Sequence, residues 1–331
     1  MRTRKTISVL YVAGFLIVGI LLVGVPFLSP INRIAHGHTF STTESAQFLS
    51  LVEQIRAHTG LVMVNLDNNN ITLANDHAER AANMLSNSTL DEISESNIRI
   101  ADTLETTLLQ LRDNVSSLTV VSAEQIPPDR VQSINQIVQT LNDALSEAVM
   151  VRIESEQRNN STTWAMVIAN LTNTILSNYG NATGATFDLT DMTNLAGMGE
   201  GSAVTSNQGI INNTMPNNTS ASDGLTNIMI VDEAAYQTSQ YLANNTMLQL
   251  FNDVLKPISA TTTGTNNMTA SNNDNTTSSI DGLEQSLLQL RDAINSKASP
   301  NEVMTIAHLQ IHPALMQLYG LTPENEENMS H

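Results

Sequence analysis

The sequence predicts an all-α protein: one N-terminal transmembrane helix followed by an extracytoplasmic antiparallel helical bundle. Three observations carry the prediction. Apolar residues recur at spacings of three and four through most of the chain, while strand-like alternation is nearly absent. An uncharged, mostly apolar run stands directly behind a basic tip. A ten-residue Leu-rich helical motif occurs twice.

The basic tip is residues 1–5, Met1-Arg2-Thr3-Arg4-Lys5, and the anchor is residues 6–30. From Ile7 to Leu28 no side chain is charged. About 20 apolar residues in a helix cross about 30 Å of hydrocarbon, whereas secretory signal cores run to about 7–15 residues. The length therefore favours an uncleaved anchor. Positive charge ahead of the span directs the tip to the cytoplasm and the rest outward. Cleavage after Ala35 is the alternative reading; against it, Arg33 would occupy a position that normally takes a small neutral residue.

The chain carries a formal charge of −18, from 14 basic and 32 acidic residues among 331. An acidic surface repels phosphate backbones, which argues against nucleic acid as a partner. Charged residues are only 14% of the sequence, so Asn, Thr and Ser must supply much of the polar surface. Cysteine is absent, which excludes thiolate-held zinc, iron–sulfur clusters and thiol catalysis. Fourteen Asn-x-Ser/Thr sequons occur, among them those beginning at Asn70, Asn87, Asn170, Asn212, Asn244 and Asn267. In an exported chain they are glycan acceptors.

The elements follow in order. Residues 41–180 read as a first helical domain, opened by a capping box at Ser41-Thr42-Thr43-Glu44, with a weaker one at Thr89-Leu90-Asp91-Glu92. Pro127-Pro128-Asp129 leads into a helix from about Arg130 to Ile153. Another runs from Thr162 to Asn178, with Gly180 as its stop. Residues 181–230 turn rich in Gly, Asn, Thr, Ser and Met and read as a linker. Residues 231–320 return to helix, stopping at Pro257, broken by a polar loop over 259–279, then resuming over Ile280–Ser296 and Asn301–Tyr319. Gly320 closes the pattern, and residues 321–331 form an acidic tail.

The repeated motif is Leu104-Glu105-Thr106-Thr107-Leu108-Leu109-Gln110-Leu111-Arg112-Asp113 against Leu283-Glu284-Gln285-Ser286-Leu287-Leu288-Gln289-Leu290-Arg291-Asp292. A Pro-initiated helix comes next in both copies, at Pro128 and Pro300. Duplication of a helix-turn-helix unit is the simplest account.

For chemistry, the last helix is the most informative stretch. Met304, His308, His312 and Met316 are each four apart, which stacks them on one helical face. Imidazole with thioether suits copper, Cu(I) above all, although Pro313 disturbs the helix beside His312. The bland alternative is two core methionines and two bundle-edge histidines. His36 and His38 form a second candidate only if the chain is cut after Ala35, which frees an amine for a square-planar Cu(II) site. His58 and His77 are possible further ligands from other helices. The Glu-x-x-His pairs of di-iron bundles are missing. No Gly-x-Ser-x-Gly, phosphate loop or Ser–His–Asp order occurs, so the expectation is a binding or structural protein and not an enzyme.

The Lys297-Ala298-Ser299-Pro300 turn and Gln310-Ile311-His312-Pro313 give the chain a resemblance to exported helical proteins of ammonia-oxidising archaea. It spans His36 and the first helices together with Asp281–Leu321. More distantly, the helical repeats are similar to extracytoplasmic helical regions attached to some iron permeases. The resemblance implies a cell-surface location and an all-α fold, and it carries over no catalytic residue. The expected partners are the membrane, through one helix, and metal ions or other envelope proteins.

Overall fold

In the computed structural model the described residues are 40–118, 126–185, 228–263 and 279–321. Helix covers 87% of them, and no strand occurs among them. The anchor over 6–30, His36 and His38, the acidic tail beyond Leu321, and most of both polar tracts lie outside the described residues. No helix among the described residues is long and apolar enough to cross a membrane.

The chain begins with α1 (Thr42–Asp67), and here the local code is read directly. Ser41 Oγ accepts from the Glu44 N–H at 3.2 Å, and the Glu44 carboxylate accepts from the Ser41 N–H at 2.8 Å. Two orphan amides are thus satisfied at once. The helix ends at Asn69, in the left-handed region at φ 57°, with the Asn70 N–H donating to the Asn65 carbonyl. Next come α2 (Ile71–Met84) and α3 (Asn87–Leu118). The start of α3 corrects the expected capping box: Ser86 Oγ, not Thr89, caps it by accepting from the Thr89 N–H.

Asn97 breaks the helical path of α3, at φ −160° and ψ 99°. The break lies beside Arg152, the buried last residue of α4 (Pro128–Arg152). The Arg152 guanidinium donates to Ser96 Oγ at 2.9 Å and lies 4.2 Å from the centre of the Phe40 ring. It therefore ties the start of α1, the bend of α3 and the end of α4 together.

A single turn, α5 (Ser155–Arg158), leads to α6 (Ser161–Thr183). Gly180 does not stop α6, as the sequence suggested. It is buried within the helix, and the end falls at Gly184, at φ 68°, where the Ala185 N–H donates to the Gly180 carbonyl. Only the later glycine occupies the left-handed position that a helix end of this kind needs.

The next rod is α7 (Glu233–Tyr241), a π-helical turn (Leu242–Met247), α8 (Leu248–Leu250), a second π turn (Phe251–Leu255) and α9 (Lys256–Thr263). It runs through Pro257, where a stop was expected. The Lys256 N–H donates five residues back, to Phe251. This wider turn leaves room for a proline ring that would otherwise meet the carbonyl four residues earlier. The same device recurs in the last rod: α11 (Pro300–Ile306), a π turn (Ala307–Ile311) and α12 (His312–Tyr319). There the His312 N–H donates to Ala307, one residue ahead of Pro313.

Between these rods stands α10 (Ile280–Asn295). The two copies of the repeated motif have matching environments. Leu104, Leu108 and Leu111 are buried on α3, as are Leu283, Leu287 and Leu290 on α10. Thr107 and Ser286 each donate to the carbonyl four residues back. Arg112 pairs with Asp113, and Arg291 with Asp292.

Helix α6 packs against α1, α7, α11 and α12. At Gly60 on α1, a Cβ would run into Tyr241 Oη and stand 2.8 Å from Tyr241 Cζ. Helix propensity alone would make Gly60→Ala a gain of about 1 kcal/mol. The contact predicts the opposite sign, a loss of about 1–3 kcal/mol from overpacking. Urea denaturation of the wild type and Gly60→Ala checks it through the shift in midpoint.

Candidate functional site

The last rod brings two of its four predicted residues together. His312 is buried at the first turn of α12, and His308 is half-buried within the preceding π turn. Their ring centroids are 5.6 Å apart, with planes tilted by 36°. The wide turn lies between them, so they face one another despite the irregular helix. Met304 is half-buried on α11, and Met316 packs against the core from α12. Two imidazoles at this separation can share a borderline or soft metal ion. Among the described residues, no cluster of three or more His, Asp and Glu side chains is placed to hold a metal. The His36 and His38 candidate lies outside the described residues.

His58 and His77 do not join that pair. They meet each other across α1 and α2, with Nδ1 to Nδ1 at 3.1 Å, and both are buried. His77 Nε2 lies 3.1 Å from Gln237 Oε1 on α7. That same oxygen accepts from Asn65 Nδ2 at 2.8 Å, and Gln237 Nε2 donates back to Asn65 Oδ1 at 3.4 Å. Asn65 Nδ2 also donates to the Leu61 carbonyl.

The network settles the protons. The Gln237 carbonyl oxygen can only accept, so His77 must carry its proton on Nε2. The Nδ1 of neutral His77 is then a lone pair, and His58 must donate to it from Nδ1. Both rings are neutral, and their environment keeps them so. His58 is lowered to about 3, first by burial, then by repulsion from His77 once that ring takes a proton, and from Arg80. His77 is lowered to about 4, again first by burial, with Gln237, Asp76 and Asp232 pulling the other way. Arg80 is itself engaged by Asp232 at 2.9 Å. Burial raises the Asp232 carboxyl, but the Ala235 N–H and Arg80 outweigh that and hold it below its usual range.

Sequence spacing pointed to His308 and His312, but not to Gln237 or Asn65. His77 and Gln237 are 160 positions apart, and a Gln or Asn within a helical stretch carries no local sign of burial. No protein-family model, curated protein or solved structure matches the chain.

The buried pair makes stability pH-dependent in a defined direction. Both folded values lie below the ordinary 6.5, so the unfolded chain binds more protons once the pH falls below that value. The pair's contribution is complete above about pH 6.5 and is lost as the pH falls towards about 4 and then about 3. The limiting slope is about 1.4 kcal/mol per pH unit for each group. Denaturant midpoints measured from pH 7.5 to 4 should fall steeply in the wild type. The fall should be shallower in His58→Leu/His77→Leu, whose rings no longer titrate.

Proposed function

We propose that this is a membrane-anchored, extracytoplasmic helical protein of the cell surface that binds a transition metal, copper foremost, at His308 and His312. The observation that carries the reading is the facing of these two imidazoles on one rod, flanked in sequence by Met304 and Met316. The span over 6–30 and the charge ahead of it support the anchor and its orientation. The matched burial, back-bonding and ion pairing of α3 and α10 support descent from one duplicated helix-turn-helix unit. The role is binding and not catalysis. The resemblance to exported proteins of ammonia-oxidising archaea accords with this location.

A second reading is a glycosylated structural or interaction protein of the cell envelope that holds no metal. It is favoured by one observation: the described residues add no third His, Asp or Glu to the pair. A two-residue protein site needs ligands from elsewhere to complete a closed shell.

Metal content separates the two. Protein purified from its native membrane without chelators is expected to carry about one copper ion per chain, the content of a single closed site, by mass spectrometry. His308→Ala/His312→Ala should lose it while keeping its helical circular dichroism. Metal-free native protein would leave the envelope reading standing.

A further inference from the structure

We propose that Asn70 and Asn87 carry N-linked glycans, while the sequons at Asn170 and Asn244 stay bare in the folded protein. The inference rests on the extracytoplasmic reading above, since the transfer needs an exported chain. In that transfer the Asn Nδ2 displaces a polyprenyl-phosphate carrier from C1 of the glycan. The Nδ2–C1 bond forms, the C1–O bond to phosphate breaks, the carrier leaves as its anion, and Nδ2 gives up one proton. The acceptor must therefore present Nδ2 to solvent and leave the hydroxyl at the second following residue within reach.

Asn70 meets both needs. It is exposed, its backbone at φ −98° and ψ 77° is outside the helix, and its Oδ1 caps α2 by accepting from the Leu73 N–H. The cap uses only the oxygen, so the nitrogen can be derivatised with the cap intact. Thr72, the residue that completes the sequon, is exposed. Asn87 is exposed on the first residue of α3, beside exposed Ser88. Thr89 completes that sequon, and its hydroxyl shares a hydrogen bond with Ser86 at the open end of the helix.

Asn244 and Asn170 are the contrast. Asn244 is locked in a reciprocal amide pair with Asn295: its Nδ2 donates to Asn295 Oδ1 at 3.1 Å, and Asn295 Nδ2 donates back at 2.8 Å. A glycan there would part α10 from the first π turn, and Thr246 of that sequon is buried. Asn170 lies mid-way along α6, and its sequon threonine, Thr172, is fully buried and donates to the Ile168 carbonyl. Asn114 and Asn159 fall between these extremes, because each gives its Nδ2 to a carbonyl one turn back.

The test is glycopeptide mass spectrometry of the full-length protein from its native membrane, with surface proteolysis of intact cells in parallel. Glycan mass on the Asn70 and Asn87 peptides, with bare Asn170 and Asn244, is the expected result. Asn70→Gln and Asn87→Gln should each remove one glycan's mass from the intact protein, and Asn244→Gln none. Modified Asn170 or Asn244 would overturn the proposal. So would bare Asn70 and Asn87 beside modified Asn212 or Asn267, a result that leaves the exported location standing. If no sequon is modified, the proposal falls, and proteolysis decides the location: cleavage on intact cells keeps it outside, while complete protection overturns that as well.

Discussion

Helices α1, α7, α11 and α12 all lean on α6. Its buried residues, from Ala165, Met166, Val167, Ile168 and Ala169 through Leu171, Ile175, Leu176 and Tyr179, occupy nearly every direction around the helix. A helix that is apolar all round is stable only when neighbours cover it on all sides. Here α1, α7, α11 and α12 do so. The chain has no cysteine to cross-link it. Several of its ion pairs, such as Arg112–Asp113, are largely exposed, where pairs contribute about 0–1 kcal/mol. Apolar burial is left as the main source of cohesion, and α6 is covered by it on most sides. The rod bearing His308 and His312 is among the elements that rest on α6.

Polar groups set the register that burial alone leaves loose. Tyr179 of α6 donates to the Ala298 carbonyl at 2.6 Å, and Tyr236 of α7 donates to Ile294 at 3.0 Å. They reach the last turn of α10 and the connection from it to α11. That connection puts Lys297 in the left-handed region at φ 55°, with its ammonium 5.3 Å from the Tyr236 ring centre. Burial pushes the Tyr179 phenol up to about 12, helped by Tyr236 and Glu302, so it stays a donor at any ordinary pH. The His58–His77–Gln237–Asn65 chain does the same for α1, α2 and α7. Each of its members has a partner, which a buried polar cluster requires if it is to specify a fold instead of weakening it.

Much of this was legible in the sequence where the signal is local. The Ser41–Glu44 box, Pro128 and Pro300 at helix starts, and Gly320 at a helix end each act within one turn of themselves. Readings failed where a residue had two structural uses. Pro257 ends most helices, yet a π turn absorbs it here. Gly180 looks like a stop but is a small residue inside a crowded helix, while Gly184 a turn later takes the positive φ. The bend at Asn97 stands beside Arg152, 56 positions beyond its partner Ser96, and no periodicity carries that contact. The candidate pair His308 and His312 was visible because i and i+4 share a face. The His58–His77 pair was not, because it forms between helices.

Native-state hydrogen exchange tests directly whether α6 is more stable than the elements packed around it. Amides from Ile168 to Leu176 should exchange only through global unfolding, with a denaturant dependence equal to that of the whole protein. Amides of α2, which has a short buried face of Ala74, His77, Ala78 and Ala81, should open at lower free energy. Exchange of α6 through a partial opening, while α10 and α11 stay protected, would contradict the account.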